Sequence, residues 1–151
     1  MATESMPLIG ALVRRPAEAV HLRILREAHL AGYTDLAPAH LAVLRYPGPN
    51  GRRPSDLAAE VGATKQAMNY LLGQLEQLGY VRRDNDPDDQ RSRRVRLTER
   101  GEALRRVVRR TVTNIERELE AEMGATSYAQ LRRLLVRLND TETIRAERDR
   151  S

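Results

Sequence analysis

Apolar residues recur along most of this chain in steps of three and four, the period of one helix face, and alternate with polar ones in a single stretch. Over residues 17–31, Val20, Ile24, Leu25 and Ala28 form such a stripe and predict a first helix, stopped by Gly32. A second helix over 38–46 turns Leu41 and Leu44 inward, and Pro47-Gly48-Pro49-Asn50-Gly51 is a turn by composition. Pro54 suits the first turn of a third helix, where its missing N–H costs nothing. Leu57, Ala58 and Val61 form its inner face, and Gly62 stands where a left-handed stop is favoured. Only Ala63 separates that stop from Thr64, a side chain suited to capping the next helix. This fourth helix runs to about residue 78 and buries Met68, Leu71, Leu72, Leu75 and Leu78.

Residues 80–83 and 93–97 alternate Val or Leu with Arg and predict two short strands. The polar segment between them, 84–92, is too long for a two-residue turn. Thr98 then caps a long helix to about residue 123, with a seam of Leu104, Val108, Val112, Ile115, Leu119 and Met123, and Gly124 breaks it. Ser127 and Gln130 have the spacing of a capping box, opening a last helix with Leu131, Leu134, Leu135 and Leu138 inside. The charged tail, 144–151, is expected to fray. A helix, a tight turn, a second helix and a basic hairpin make the layout of a winged helix-turn-helix. The expected fold is mainly α with a small β-hairpin wing. One domain of 151 residues holds a winged core at 36–98 and flanking helices at 17–34 and 99–143.

Composition sharpens this picture. The only aromatic residues are five Tyr, so the core must be aliphatic, which suits helices. Cysteine is absent, which excludes a disulfide frame, thiolate metal sites and thiol redox switching. No apolar run is long enough to cross a bilayer. The N-terminus places acid before its short apolar stretch and arginine after it, the reverse of a secretory signal, so a cytoplasmic protein is expected. The net charge of +5 and a pI near 10.2 point to a polyanion. The cations are nearly all Arg, with Lys65 the only lysine; GC-rich coding alone can produce that total, so their positions carry the argument.

Two positions do so. With Met68, Leu71, Leu72 and Leu75 inward, Lys65, Gln66, Asn69 and Tyr70 must point outward near the fourth helix's N-terminus. These are hydrogen-bonding side chains suited to base edges and phosphates, and Gly73 adds no bulk on the same face. A merely solvated face mixes both signs of charge, whereas residues 64–74 contain no acid. The second position is the hairpin, where Arg82, Arg83, Arg91, Arg93, Arg94 and Arg96 crowd together with four Asp. Asp89 is expected to pair with Arg91 or its neighbour and hold the wing rigid. Asp84, Asp86 and Asp88 also match the first alternate ligands of an EF-hand loop, but Asp89 stands where Gly is required and Val95 where the closing Glu belongs. No metal is expected there.

These residues resemble the MarR family of regulators. The resemblance runs through Leu57-Ala58, Gly62, Thr64-Lys65-Gln66-Ala67, Leu75-Glu76, Gly79-Tyr80-Val81, Asp86-Pro87-Asp88-Asp89-Gln90-Arg91-Ser92 and Val95-Arg96-Leu97-Thr98-Glu99-Arg100-Gly101. It is close over about residues 36–104, and the wing followed by Leu-Thr-x-x-Gly is its specific part. The resemblance implies a homodimer, formed through the terminal helices, on a pseudopalindromic double-stranded DNA operator. Thr64, Lys65, Gln66, Asn69 and Tyr70 would enter the major groove, Arg91 would reach the minor groove with Arg93 and Arg94 beside it, and Ser55 would contact phosphate. The family usually has Arg where Gln90 stands, so one wing cation is missing. It also implies a repressor released by a small phenolic or lipophilic effector bound between the dimer helices and the core. Tyr33, Tyr46, His21, His29 and His40 are candidates for that pocket.

Two rival classes are weighed against this one. An enzyme needs a nucleophile, base or metal cluster, and no HExxH, Gly-rich phosphate loop or G-x-S-x-G is present. No cofactor is called for. A winged module for protein or RNA would favour acid on the Lys65–Asn69 face, which carries none.

Overall fold

A computed structural model describes residues 6–44 and 50–150. Helix α1 (Ile9–Leu30) lies beside the long α5 (Glu99–Met123). Between them in sequence come α2 (Pro38–Leu44), α3 (Pro54–Val61), α4 (Lys65–Gln77) and an antiparallel hairpin of β1 (Val81–Asp86) and β2 (Asp89–Leu97). Helices α6 (Ala125–Asn139) and α7 (Glu142–Arg150) complete the chain. The expected mainly helical winged architecture is the one observed. The predicted end of α2 at Tyr46 and the Pro47-Gly48-Pro49 part of the turn lie outside the described residues.

The helix-turn-helix forms for local reasons. Pro54 is the first residue of α3, and Gly62 ends that helix at φ 66°, ψ 35°, a left-handed backbone that a side chain would strain. Thr64 then caps α4 by accepting the Ala67 N–H at 3.1 Å. Leu57, Met68, Leu72, Leu75, Val95, Tyr80 and Leu104 are fully or almost fully buried in one core shared by α3, α4, the hairpin and α5. Arg52, just before α3, pairs with Val95 through reciprocal backbone bonds of 3.1 and 2.7 Å, so the wing is edged by the entry to α3. The neighbouring Gly51 (φ 70°) packs where a Cβ would sit 2.9 Å from the Val95 carbonyl.

Five expectations need correction. Helix α1 begins at Ile9, before Ala17, with Pro16 inside it. Proline removes one backbone donor, yet the helix continues through it, and Leu12, Val13, Pro16 and Val20 line one apolar groove along α1. The strands run on into the supposed loop, leaving Pro87 and Asp88 as the bend; the slack is taken up where Asn85 pairs with Arg93 but Asp86 pairs with Asp89. Helix α6 starts at Ala125, so Ser127 falls inside its first turn and makes no cap. The tail 144–151, expected to fray, is helical as far as Arg150 within α7 (Glu142–Arg150), with Arg145 and Asp140 paired at 3.0 Å. Finally, α6 buries none of its residues: Leu134 and Leu135 are 50% and 40% exposed.

Candidate nucleic-acid interface

Helix α4 meets solvent along the side opposite Met68, Leu72 and Leu75. Lys65, Gln66, Asn69 and Tyr70 are all exposed there, Tyr70 at 67%. Ser55 is exposed in the first turn of α3. Thr64 is exposed too, with its oxygen committed to the helix cap. The first acid in α4 is Glu76, whose carboxylate lies 3.5 Å from Arg83 Nε. Arg83 also reaches across from β1 to the Asn69 side chain at 3.5 Å and its carbonyl at 3.4 Å, so the root of the wing rests on the polar face of α4.

The wing is built around a carboxylate that sequence reasoning passed over. Asp86 is 1% exposed. Its oxygens accept from Arg53 Nε at 2.8 Å, Arg94 Nε at 2.9 Å, Ser92 Oγ at 3.0 Å and the Asp88 amide at 3.1 Å. Burial pushes this carboxyl upward, but those four donors outweigh it and hold it well below the usual carboxylate range. Arg53 is the residue that leads into α3, so Asp86 ties the wing to the helix-turn-helix as well as to itself. Spacing gave no signal for it: alternation from the buried Val81 puts Asp86 on the opposite side of the strand, and its burial accompanies the irregularity after Asn85 and the approach of Arg53.

The assignments made from sequence divide accordingly. Asp89 holds the bend, but through the backbone N–H of Arg91 at 3.0 Å rather than its guanidinium, and the main brace is Asp86. Arg94, expected to reach DNA, turns inward, donating to Asp86 and, at 2.9 Å, to Asp88, with its side chain 22% exposed. Arg82 and Arg96 pair with Asp84 at 3.0 and 3.3 Å. Arg91 and Arg93 are exposed. The side chain of Gln90 is outside the described residues. The carboxylates considered for an EF-hand are thus held by arginines.

A second feature lies between α1, α5 and α6: an apolar groove of about 1320 Å³. Leu12, Val13, Val112, Leu131, Leu134 and Leu135 line it, with Arg105, Arg109, Arg132 and Tyr128 among them. His21 also lines it. Among the described residues, the pocket candidates Tyr33, His29 and His40 do not. Tyr33 packs against Tyr80 in a tilted pair, with ring centroids 6.2 Å apart, and His29 bonds the Leu36 carbonyl at 2.9 Å. His40 is buried at 5% and faces α4, and Tyr46 is outside the described residues.

Residues 34–92 match the profile of the MarR family. A curated relative, the HTH-type transcriptional regulator BilQ of Clostridioides difficile (strain CD3), is 25% identical over 89 residues, covering 59% of this chain and 60% of its own length. The match therefore spans less than two thirds of that relative. Among solved structures, the transcriptional repressor CouR bound to a 23-mer DNA duplex is 27% identical, with a TM-score of 0.68 over 87% of this chain and 92% of that one. NadR in complex with 4-hydroxyphenylacetate shares the fold at 22% identity, with a TM-score of 0.71 over 94% of this chain and 99% of that one.

Proposed function

We propose that this chain, which matches the MarR family profile over residues 34–92, is a MarR-family regulator: a homodimeric, sequence-specific DNA-binding repressor that a small aromatic or lipophilic acid releases from its operator. The observation that carries the reading is the pairing of an exposed polar face over residues 65–70 of α4, which holds no acid, with a wing whose outward cations, Arg91 and Arg93, stand on a hairpin braced from inside by Asp86. Lys65, Gln66, Asn69 and Tyr70 read base edges in the major groove, and Ser55 takes a phosphate. Arg91 and Arg93 lie along the flanking minor groove. The reading gains support from CouR, a relative of the same fold that binds a DNA duplex.

A partner subunit supplies what the isolated chain lacks. The leucines of α6 and the exposed Leu12 and Val13 of α1 form one apolar face, and its burial against a second copy is the ordinary use of such a surface. Arg105, Arg109 and Arg132 beside that face suit the carboxylate of the releasing ligand, as Tyr128 suits its ring. The NadR complex with an aryl acid is in keeping with this class of ligand. No helix among the described residues is long and apolar enough to cross a membrane.

The test is selection of duplex DNA from a random pool, followed by affinity measurement across salt. Wild type should select a pseudopalindrome, and its affinity should fall steeply as salt rises, because each neutralised phosphate releases counterions. Arg91→Ala should weaken binding while reducing the salt slope by about 1 per subunit, with no change in melting temperature. Equal affinity for selected and random duplex, or an unchanged slope in Arg91→Ala, contradicts the reading.

A further inference from the structure

His40 is buried in α2, away from any surface that a duplex can touch, yet a chain of hydrogen bonds runs from it to the exposed face of α4. The Ala37 backbone N–H donates to His40 Nδ1 at 3.1 Å. His40 Nε2 stands 3.1 Å from Gln74 Oε1, and Gln74 Nε2 donates to the Tyr70 hydroxyl at 3.2 Å. Each polarity follows from the one before. A backbone amide can only donate, so Nδ1 is an acceptor and the neutral ring carries its proton on Nε2. That proton fixes which end of the Gln74 amide is oxygen, and the nitrogen is left facing Tyr70. With a lone pair already engaged, the hydroxyl of Tyr70, a residue that is 67% exposed, keeps its own hydrogen free.

We propose that His40 and Gln74 are specificity-positioning residues that present Tyr70 to the duplex as a hydrogen-bond donor, so that it seeks an acceptor and rejects an amino group. This rests on the DNA-binding reading above. The acceptors of that chemistry are purine N7 or O6 and thymine O4 on the base edges, and the phosphate oxygens; the amino groups of cytosine and adenine are excluded. Without the relay a tyrosine hydroxyl rotates freely and serves as donor or acceptor alike. A group that can do either discriminates less, and the ring also loses its tether to Gln74.

The experiment is a double-mutant cycle on duplex binding, using a sequence selected by the wild-type protein and a random duplex of equal length. Tyr70→Phe should lose roughly threefold to tenfold in affinity for the selected duplex, the range of one hydrogen bond. Gln74→Met should lose a comparable factor when Tyr70 is present and almost nothing in the Tyr70→Phe background. A loss confined to the selected duplex identifies a base edge as the acceptor, and an equal loss on both duplexes, as a phosphate acceptor would give, overturns the specificity role. Independently of any variant's folding, the ring nitrogen signals of His40 in the intact wild-type protein should show Nε2 protonated and Nδ1 bare. Equal losses from Gln74→Met in both backgrounds, no loss from Tyr70→Phe, or the opposite tautomer overturns the relay while leaving DNA binding intact. If wild type selects no duplex at all, the functional reading falls and takes the relay with it.

Discussion

Replacing Gly101 by alanine should destabilise this protein, although the same change inside a helix ordinarily stabilises it. The ordinary gain is about 1 kcal/mol, from the entropy that glycine loses on becoming helical. Gly101 lies in the first turn of α5, where a Cβ would stand 2.1 Å from the Tyr80 carbonyl oxygen and 3.2 Å from Leu97 Cδ2. Relief requires α5 to back away from the start of β1 by about 1 Å, since such contacts are tolerated only beyond ~3.0–3.4 Å. That movement pulls on the bonds that fasten the turn: Thr98 N–H to the Tyr80 carbonyl at 3.0 Å, and Gly101 N–H to Thr98 Oγ1 at 3.1 Å. Two weakened hydrogen bonds cost about 1–2 kcal/mol, and forced overpacking costs about 1–3 more. Less the helical gain, the net loss is about 1–4 kcal/mol, or a fall in melting temperature of about 2–16 °C at ~2–4 °C per kcal/mol for a chain of this size. Gly73, in α4, is the control: nothing lies within 4 Å of an added Cβ, so Gly73→Ala should gain about 0.5–1 kcal/mol. Thermal and urea denaturation at one fixed protein concentration measure both, since a dimer's stability depends on concentration. A Gly101→Ala protein that melts at or above wild type refutes the steric reasoning.

Two further outcomes are expected. Asp86→Asn should lower both the melting temperature and duplex affinity, because Arg53 and Arg94 lose the charge that holds the wing to α3. The folded carboxyl titrates below the ordinary aspartate value of 3.8, so its contribution is fully present above that value and is lost as pH falls through the lower, folded one. The melting gap between wild type and Asp86→Asn should therefore be constant above about pH 5 and close as pH drops below the ordinary value; a gap that instead widens in acid contradicts the assignment. Leu134→Arg with Leu135→Arg should convert the proposed dimer to monomer in sedimentation velocity, since each leucine, half-exposed in the single chain, would place a guanidinium in the proposed subunit interface. A double variant that still sediments as a dimer would show that this face is not the contact.

The helix-turn-helix was readable from the sequence because its signals act over a few residues. Pro54, Gly62 and Thr64 set the ends of α3 and α4 through backbone dihedrals and one local hydrogen bond, and the spacing from Met68 to Leu75 decides which side of α4 faces out. For the same reason Lys65, Gln66, Asn69 and Tyr70 could be placed on the exposed face without coordinates. The seam of α5 and the cap at Thr98 are of this kind too.

What the residues could not reveal by spacing was the partnership among charges. Six arginines and four aspartates share the hairpin segment, and many pairings satisfy the same alternation. Only the fold brings Arg53, distant in sequence, to 2.8 Å from Asp86, and so turns Arg94 inward while Arg91 and Arg93 stay out. The His40–Gln74–Tyr70 relay spans 34 positions between its first two members and has no periodic trace. The leucines of α6 were misplaced for the complementary reason: periodicity says that a face is apolar but not which surface covers it. Dihedral preferences and helical period are properties of neighbouring residues, so they survive in the linear order. Charge pairing and burial depend on which distant segments meet, and that is decided only when the core closes.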